Sequence, residues 1–225
     1  MIDLSPFWLT AKLAFITTII LLVISLPIAN WLAYGKSKGK TVIEALVSMP
    51  LVLPPSVLGF YLLLAFSPQN ALGKFLDYYF DTRLVFTFGG LVICSVIYSL
   101  PFMIHPIQSG LKNLSPSLRE ASFTLGKSSM TTLMKVLLPN IRASVITGIV
   151  LTFAHTIGEF GVVLMVGGSI PGKTKVISIA VYDEVQSMNY HTANVYAAIL
   201  FAFSFLILFS VYLINSRSGE VSPLR

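Results

Sequence analysis

Charge is scarce in this sequence. Asp, Glu, Lys and Arg supply 11% of its 225 residues, against roughly 25% in soluble domains. The hydrophobic fraction is 55% and the mean hydropathy is +0.83. That deficit excludes an ordinary soluble domain and leaves a chain built for lipid. Acids are scarcer than bases, 9 against 15, for a net charge of +6. In a soluble chain such an excess would suggest nucleic acid, but here the positive-inside rule accounts for it and no nucleic-acid partner is expected. Cysteine is nearly absent. Cys94 stands alone in an apolar run, so it forms no internal disulfide and is expected to be a buried, inert thiol. The groupings of catalysis are missing too: there is no Ser–His–Asp set, no paired-carboxylate motif and no metal-ligand spacing. The chain reads as non-catalytic, with no cofactor or metal of its own.

A cleavable signal is also missing. Asp3 occupies the region where a signal carries bases, and the apolar run continues from Phe7 to Tyr34, interrupted by Lys12 and a few small polar residues. A signal needs about 7–15 apolar residues, whereas this run reaches the roughly 20 that cross a bilayer. Lys12, near the outer end of the run, is expected to snorkel to the interface. Five spans are expected, at 7–34, 42–66, 84–109, 140–166 and 193–214, forming one transmembrane domain over 7–214 with a cytoplasmic tail at 215–225. Loop 35–40 carries Lys36, Lys38 and Lys40 without an acid. Loop 110–139 carries Lys112, Arg119, Lys127 and Lys135 against Glu120, and the tail has Arg217 and Arg225 against Glu220. Loops 67–83 and 167–192 are balanced. With five spans the basic loops share one face, so the N-terminus is expected outside and the C-terminus in the cytoplasm. The stretch from Val176 to Tyr182 is too short to span and reads as an extracytoplasmic or shallow re-entrant helix.

Helix breakers lie inside the spans: Pro27, Pro54-Pro55, Pro101, Pro106, and Gly158 with Gly161. Each internal proline frees a carbonyl that protein or cavity water must satisfy. Packing kinks and a wet or mobile interior both fit this pattern. In 67–83, Leu72, Phe75, Leu76, Tyr79 and Phe80 recur at helical spacing, as in a short interfacial helix with aromatic anchors.

Loop 110–139 has the grammar of two short helices. Ser115 suits an N-cap, Pro116 the first turn and Gly126 the stop. Leu118, Ala121, Ser122 and Leu125 share one face, and Arg119, Glu120 and Phe123 lie off it. Ser128-Ser129 marks a second start, and this helix ends near Pro139, carrying Leu133, Met134, Val136, Leu137 and Leu138 toward the fourth span. Such a knob is too small to fold alone and needs a surface to pack on. That surface is either its own bundle or a partner.

This hairpin resembles the coupling motif of permease subunits of bacterial ATP-binding-cassette importers of type I, written E-A-A, three residues, G, nine residues, I, any residue, L-P. Glu120, Ala121, Ser122, Gly126, Val136, Leu138 and Pro139 match it, with Ser122 and Val136 as small departures. Further runs narrow the likeness to molybdate-transporter permeases: L-P-P-S-V-L-G at 53–59, G-E-F-G at 158–161, M-V-G-G-S-I-P-G-K-T at 165–174 and I-A-V-Y-D at 179–183. Sulfate and tungstate permeases share parts of the pattern. The resemblance implies an all-α polytopic protein of the bacterial inner membrane that works as a homodimer. It implies a binding protein outside that delivers an oxyanion, and two ATPase subunits inside that bind ATP and Mg. Helix 116–125, with Leu118, Glu120, Ala121, Ser122 and Leu125, would seat in the ATPase. Val136, Leu138 and Pro139 would carry the motion into the bundle. The rival reading is an ATPase-independent secondary transporter or channel, which calls for inverted repeats. No repeat is apparent.

Three motifs carry competing meanings. G-G-S-I-P-G-K-T at 167–174 spells a P-loop, but a membrane helix precedes it, Pro171 sits inside it and the charge pattern places it outside. It reads as an extracytoplasmic turn in which Lys173 and Lys175 are solvated, face a docked binding protein or help steer a dianion. His155 and Glu159 are four apart in the fourth span. They are expected to bond each other, or Glu159 to bond backbone, or the Gly158–Glu159–Gly161 break to serve as a gate. Thr152 and Thr156 are pathway candidates by chemistry alone. His105 and His191 have no catalytic partner in the sequence.

Overall fold

The computed structural model describes residues 2–37 and 39–218, with side chains as far as Phe209. Lys38, Glu220 and Arg225 of the charge argument lie outside these residues, as does the Arg217 side chain. Among the described residues the fold is all-α, with no strand.

The order begins with α1 (Ser5–Tyr34), α2 (Lys40–Val52), α3 (Pro55–Phe66), α4 (Ala71–Phe80) and α5 (Phe88–Lys112). Next come α6 (Pro116–Thr124) and α7 (Ser129–Thr132), a π-helical turn (Leu133–Leu137) and α8 (Leu138–Asn140). The chain then runs through α9 (Arg142–Gly158), α10 (Gly161–Gly167), α11 (Ile177–Gln186) and α12 (Tyr190–Ser218). Three helices, α1, α5 and α12, are long and apolar enough to cross a membrane. Two bent pairs, α2–α3 and α7–α8 with α9, raise the number to as many as five.

The expected span 42–66 is not one rod. α2 and α3 meet at an angle of 116°. The residue before a proline is driven to extended backbone, and Leu53 and Pro54 both adopt it, with ψ 134° and 136°. The single prolines Pro27, Pro50, Pro101 and Pro106 remain inside helices, so it is the tandem pair that breaks the chain. The expected span 140–166 is also divided. α9 ends at Gly158, Glu159 is extended with ψ 133°, and a short α10 follows.

The centre is a packed trio of α1, α5 and α9. Leu21 and Leu32 of α1 meet Met103, Ile104, Ile107 and Leu111 of α5, and Leu133, Leu137 and Ile141 close the lower end. In lipid, helices associate through close packing and hydrogen bonds rather than through water release. Gly148 accordingly lies against Met103, and Gly110 against Ser144. The outside is apolar, as lipid-facing surface must be. α12 shows Phe201, Phe205 and Phe209, and α1 shows Trp8 and Trp31 at opposite ends.

α4 is the short helix expected in 67–83. It exposes Phe75, Tyr78, Tyr79 and Phe80, and Asp77 pairs with Arg83 at 3.1 Å. α11 buries Ile177, Ile179 and Ala180 against α1 and α12. Its first free amide, Ile177 N, donates to Thr10 Oγ1 at 2.8 Å.

Candidate functional site: a hairpin, a cleft and an outer turn

The hairpin after α5 is built by local chemistry. Pro116 opens α6, but the Ser115 hydroxyl bonds the Ser117 hydroxyl at 2.7 Å and does not cap the helix. The C-terminus is a full Schellman motif. Lys127 N donates to Ser122 O at 3.1 Å, Gly126 N donates to Phe123 O at 2.9 Å, and Gly126 has φ 72°. Ser128 then caps α7, accepting from Thr131 N at 3.2 Å.

Beyond α7 the second helix is irregular rather than continuous. Pro139 has no N–H for the carbonyl of Lys135, and the chain widens into a π turn in which Leu138 N bonds Leu133 O. The Asn140 side-chain amide serves the carbonyl of Val136 at 2.6 Å. A bend of 85° follows before α9. Val136 and Leu138 pack against the core at this corner.

The expected apolar face of α6 does not face inward as a unit. Ser122 is buried and bonds Thr132 at 2.8 Å, whereas Leu118, Ala121 and Leu125 are exposed. Helix α6 is too short to bury a stripe and turns its hydroxyl side toward α7. The outward surface carries Leu118, Glu120, Phe123 and Leu125, joined by Met130 and Met134. Among the described residues Glu120 makes no ion pair. Arg119 lies half-buried with its guanidinium 4.4 Å from the Tyr34 ring centre.

The break between α9 and α10 opens on a cleft of about 630 Å³. Pro55, Ser56, Tyr98, His155, Gly158 and Glu159 are among its walls, so the α2–α3 break faces the α9–α10 break across it. Glu159 is 4% exposed. Its partner is Ser95 of α5, which donates to Oε2 at 2.9 Å, and Ser178 donates to its backbone carbonyl at 2.7 Å. The expected His155–Glu159 bond is not formed. His155 instead stacks on Phe102 at 3.9 Å and lies 4.8 Å from the Tyr98 ring, because the extended turn at Glu159 carries the carboxyl off the helical face. Among the described residues, Glu159 Oε1 and His155 Nε2 have no hydrogen-bond partner.

Gly158 and Gly161 differ in surroundings. A Cβ on Gly158 would meet nothing within 4 Å, whereas one on Gly161 would sit 2.7 Å from Pro55 Cβ. Gly161 is therefore a packing contact between α10 and α3, beside Gly59 against Val162. A seam of hydroxyls continues from the cleft: Ser99 bonds Thr156 at 3.1 Å, and Thr17, Thr18, Ser25 and Thr152 are buried without a partner among the described residues. Sequence reasoning reached Thr152 and Thr156 but not Ser95, Ser178 or the α1 hydroxyls. Hydroxyls about seven apart in α1, at Thr10, Thr17, Thr18 and Ser25, and four apart in α5, at Ser95 and Ser99, were the available signal.

The turn 167–174 closes on itself. The amides of Lys173, Thr174 and Lys175 all donate to the carbonyl of Ile170, at 3.0–3.1 Å. Thr174 is buried and bonds Gly167 O at 2.7 Å. The amides a P-loop would aim at phosphate are thus already taken. Lys175 pairs with Asp183 at 2.9 Å, and Ser169 donates to the same carboxylate at 2.5 Å. Burial raises the Asp183 pKa, but these two bonds outweigh it and hold the group below its ordinary value. Lys173 is exposed and, among the described residues, makes no ion pair.

A second polar cluster lies at the lower end, where sequence reasoning saw none. Glu44 of α2 accepts from Gln108 at 2.6 Å and from Lys112 at 3.3 Å, and Ser48 bonds His105 at 3.2 Å. Elsewhere Lys12 lies over the Phe88 ring at 4.9 Å.

Residues 22–219 match the family described as binding-protein-dependent transport system inner membrane component. The chain is 45% identical over 210 residues to the molybdenum transport system permease protein ModB of Azotobacter vinelandii, covering 93% of each. It is 34% identical to the sulfate transport system permease protein CysT of Salmonella typhimurium, covering 94% of this chain and 76% of that one. Among solved structures, the MetNI methionine transporter in an inward-facing form shares the fold with TM-score 0.71 at 20% identity, over 93% of this chain and 92% of its own. An alginate importer does so with TM-score 0.75 at 15% identity, over 98% and 80%.

Proposed function

We propose, starting from the fact that the chain belongs to the family of binding-protein-dependent transport system inner membrane components, that it is the membrane-spanning subunit of an ATP-driven importer of molybdate. The observation that carries the ion is the 45% identity, over 93% of both chains, to a protein named as a molybdenum permease. The sulfate reading rests on a 34% identity and takes second place.

In this reading the chain sits in the bacterial inner membrane with its N-terminus outside and its C-terminus in the cytoplasm, and two copies enclose the path. An extracytoplasmic binding protein delivers the dianion to the face that bears Lys173. Two ATPase subunits bind ATP and Mg below, and each receives one α6. Support comes from the outward apolar rank of Leu118, Phe123 and Leu125 around Glu120, which makes no ion pair among the described residues, on a helix fixed by its Schellman stop. Leu125 is 75% exposed at the end of the helix that exposes Leu118 and Phe123, and apolar side chains grouped in this way mark an interaction surface.

ATP binds one state of the ATPase pair better than the other and so shifts the bundle between two forms of similar energy. Ser122 joins α6 to α7, and the π turn at Pro139 leads that motion into α9. α9 ends at the Gly158–Glu159 break, which borders the cleft. Opening of this break, with Gly161 anchored on α3, is the proposed gate step.

The test is uptake into vesicles holding the permease, its ATPase and its binding protein. Molybdate should enter only with ATP, and excess tungstate or sulfate should compete less well than molybdate itself. Equal or better competition by sulfate would move the assignment to sulfate. Uptake that persists without ATP would favour a secondary transporter.

A further inference from the structure

Among the described residues, α6 makes one polar or aromatic tie to the transmembrane bundle. The Ser122–Thr132 bond ties it to its own hairpin. The other hydrogen bonds of α6 stay within the helix and its two ends. Arg119 is different. Its guanidinium lies 4.4 Å from the ring centre of Tyr34, the last residue of α1, and 5.1 Å from that of Phe123, one turn on in α6. Tyr34 in turn donates its hydroxyl to the carbonyl of Leu111 at 2.7 Å. Leu111 is buried near the end of α5, and its carbonyl also accepts from Leu114 N at 3.3 Å. One guanidinium, one ring and one carbonyl therefore join the ends of α6, α1 and α5.

Arginine suits this place. Its planar cation stacks on aromatic faces and is weakly hydrated, and it lies where the C-terminal dipole ends of α1 and α5 favour positive charge. No carboxylate pairs with it among the described residues. The stack leaves Leu118, Glu120 and Leu125 free on the outward surface.

We propose that Arg119 is the positioning residue that fastens α6 to α1 and α5 through Tyr34, so that displacement of α6 is passed to the bundle and not absorbed in the loop at Asn113–Ser115. The proposal rests on the coupling role given to α6 above. Arg119 acts through Tyr34 and does not touch the transported ion.

The test uses the complete importer in proteoliposomes, reading three quantities: ATPase retained on purification, ATP hydrolysed and molybdate taken up. Arg119→Ala should keep the ATPase bound but lower uptake per ATP hydrolysed by roughly three- to thirtyfold, the range to which a cation–π contact converts. Tyr34→Leu should do the same, and the double variant should be no worse than either single one. Tyr34→Phe keeps the ring but loses the bond to the Leu111 carbonyl, so it and Arg119→Lys should each fall between wild type and Arg119→Ala. An unchanged ratio in Arg119→Ala, or losses that multiply in the double variant, would overturn the proposal. Loss of the bound ATPase in Arg119→Ala would also overturn it, since the residue would then serve docking. Wild-type protein that retains no ATPase would instead sink the coupling role of α6, and this proposal with it.

Discussion

Glu159 is held unequally at its two carboxyl oxygens. Oε2 accepts from Ser95, and among the described residues Oε1 has no partner. Removing the one donor leaves a buried polar group unserved, which costs about 1–3 kcal/mol. Ser95→Ala should lower stability by that amount in a detergent melt, and an unchanged midpoint would show that the bond does not hold the turn. The Asp183 carboxylate, outside the spans, offers a pH test. Its folded pKa lies below the ordinary 3.8, so it stabilises the fold above that value and loses its contribution as pH falls through the folded pKa. The melting difference between wild type and Asp183→Asn should therefore be full at neutral pH and shrink on acidification below about pH 4. A difference that grows on acidification would contradict the sign. Neither pairing was legible in the sequence. Ser95 lies 64 residues from Glu159, and the nearer His155 offered an i, i+4 partner that only an unbroken helix would have delivered.

At the scale of elements, the hairpin was largely legible because turn residues act locally. Pro116 opens α6, Gly126 takes the left-handed stop, and Ser128 caps α7. The facing of α6 was not legible, since nine residues give too little stripe to choose a side. Gly126→Ala places a Cβ in open space but at φ 72°, so the cost is conformational, about 1–2 kcal/mol, and should appear as a lower melting midpoint without loss of packing. The two glycines beside Glu159 should part company. Gly161→Ala forces a Cβ to 2.7 Å from Pro55 and should destabilise by about 1–3 kcal/mol. Gly158→Ala meets nothing within 4 Å and should be tolerated in the same melt. Equal effects would mean that the α3–α10 contact is not tight. The bend of 116° at Pro54-Pro55 was half legible. Breakers were visible, but not that four single prolines would be absorbed and the tandem pair would turn the chain.

For the whole molecule, composition pointed to a chain built for lipid, because so little charge leaves no other solvent, and the all-α fold came from the long apolar runs and the family resemblance. Topology rests on loop charge, and the molecule supplies a clean assay for it. Cys94 is fully buried at 0% exposure, so an introduced thiol can be read without removing it. Phe123→Cys should react with an impermeant reagent only in inverted vesicles, and Lys173→Cys only in right-side-out ones. Labelling of both from one side would refute the orientation and, with it, the place given to the ATPase.

The sequence holds only two tryptophans, Trp8 and Trp31, exposed at opposite ends of α1. At 1.5 Å per residue they stand roughly 35 Å apart, close to the thickness of a bilayer's hydrocarbon core at about 30 Å. Indole fluorescence from this molecule therefore originates at two depths and nowhere between them. Quenchers placed in one leaflet should dim one emitter and spare the other, so any tilt of α1 during transport can be followed by ultraviolet fluorescence on unlabelled protein.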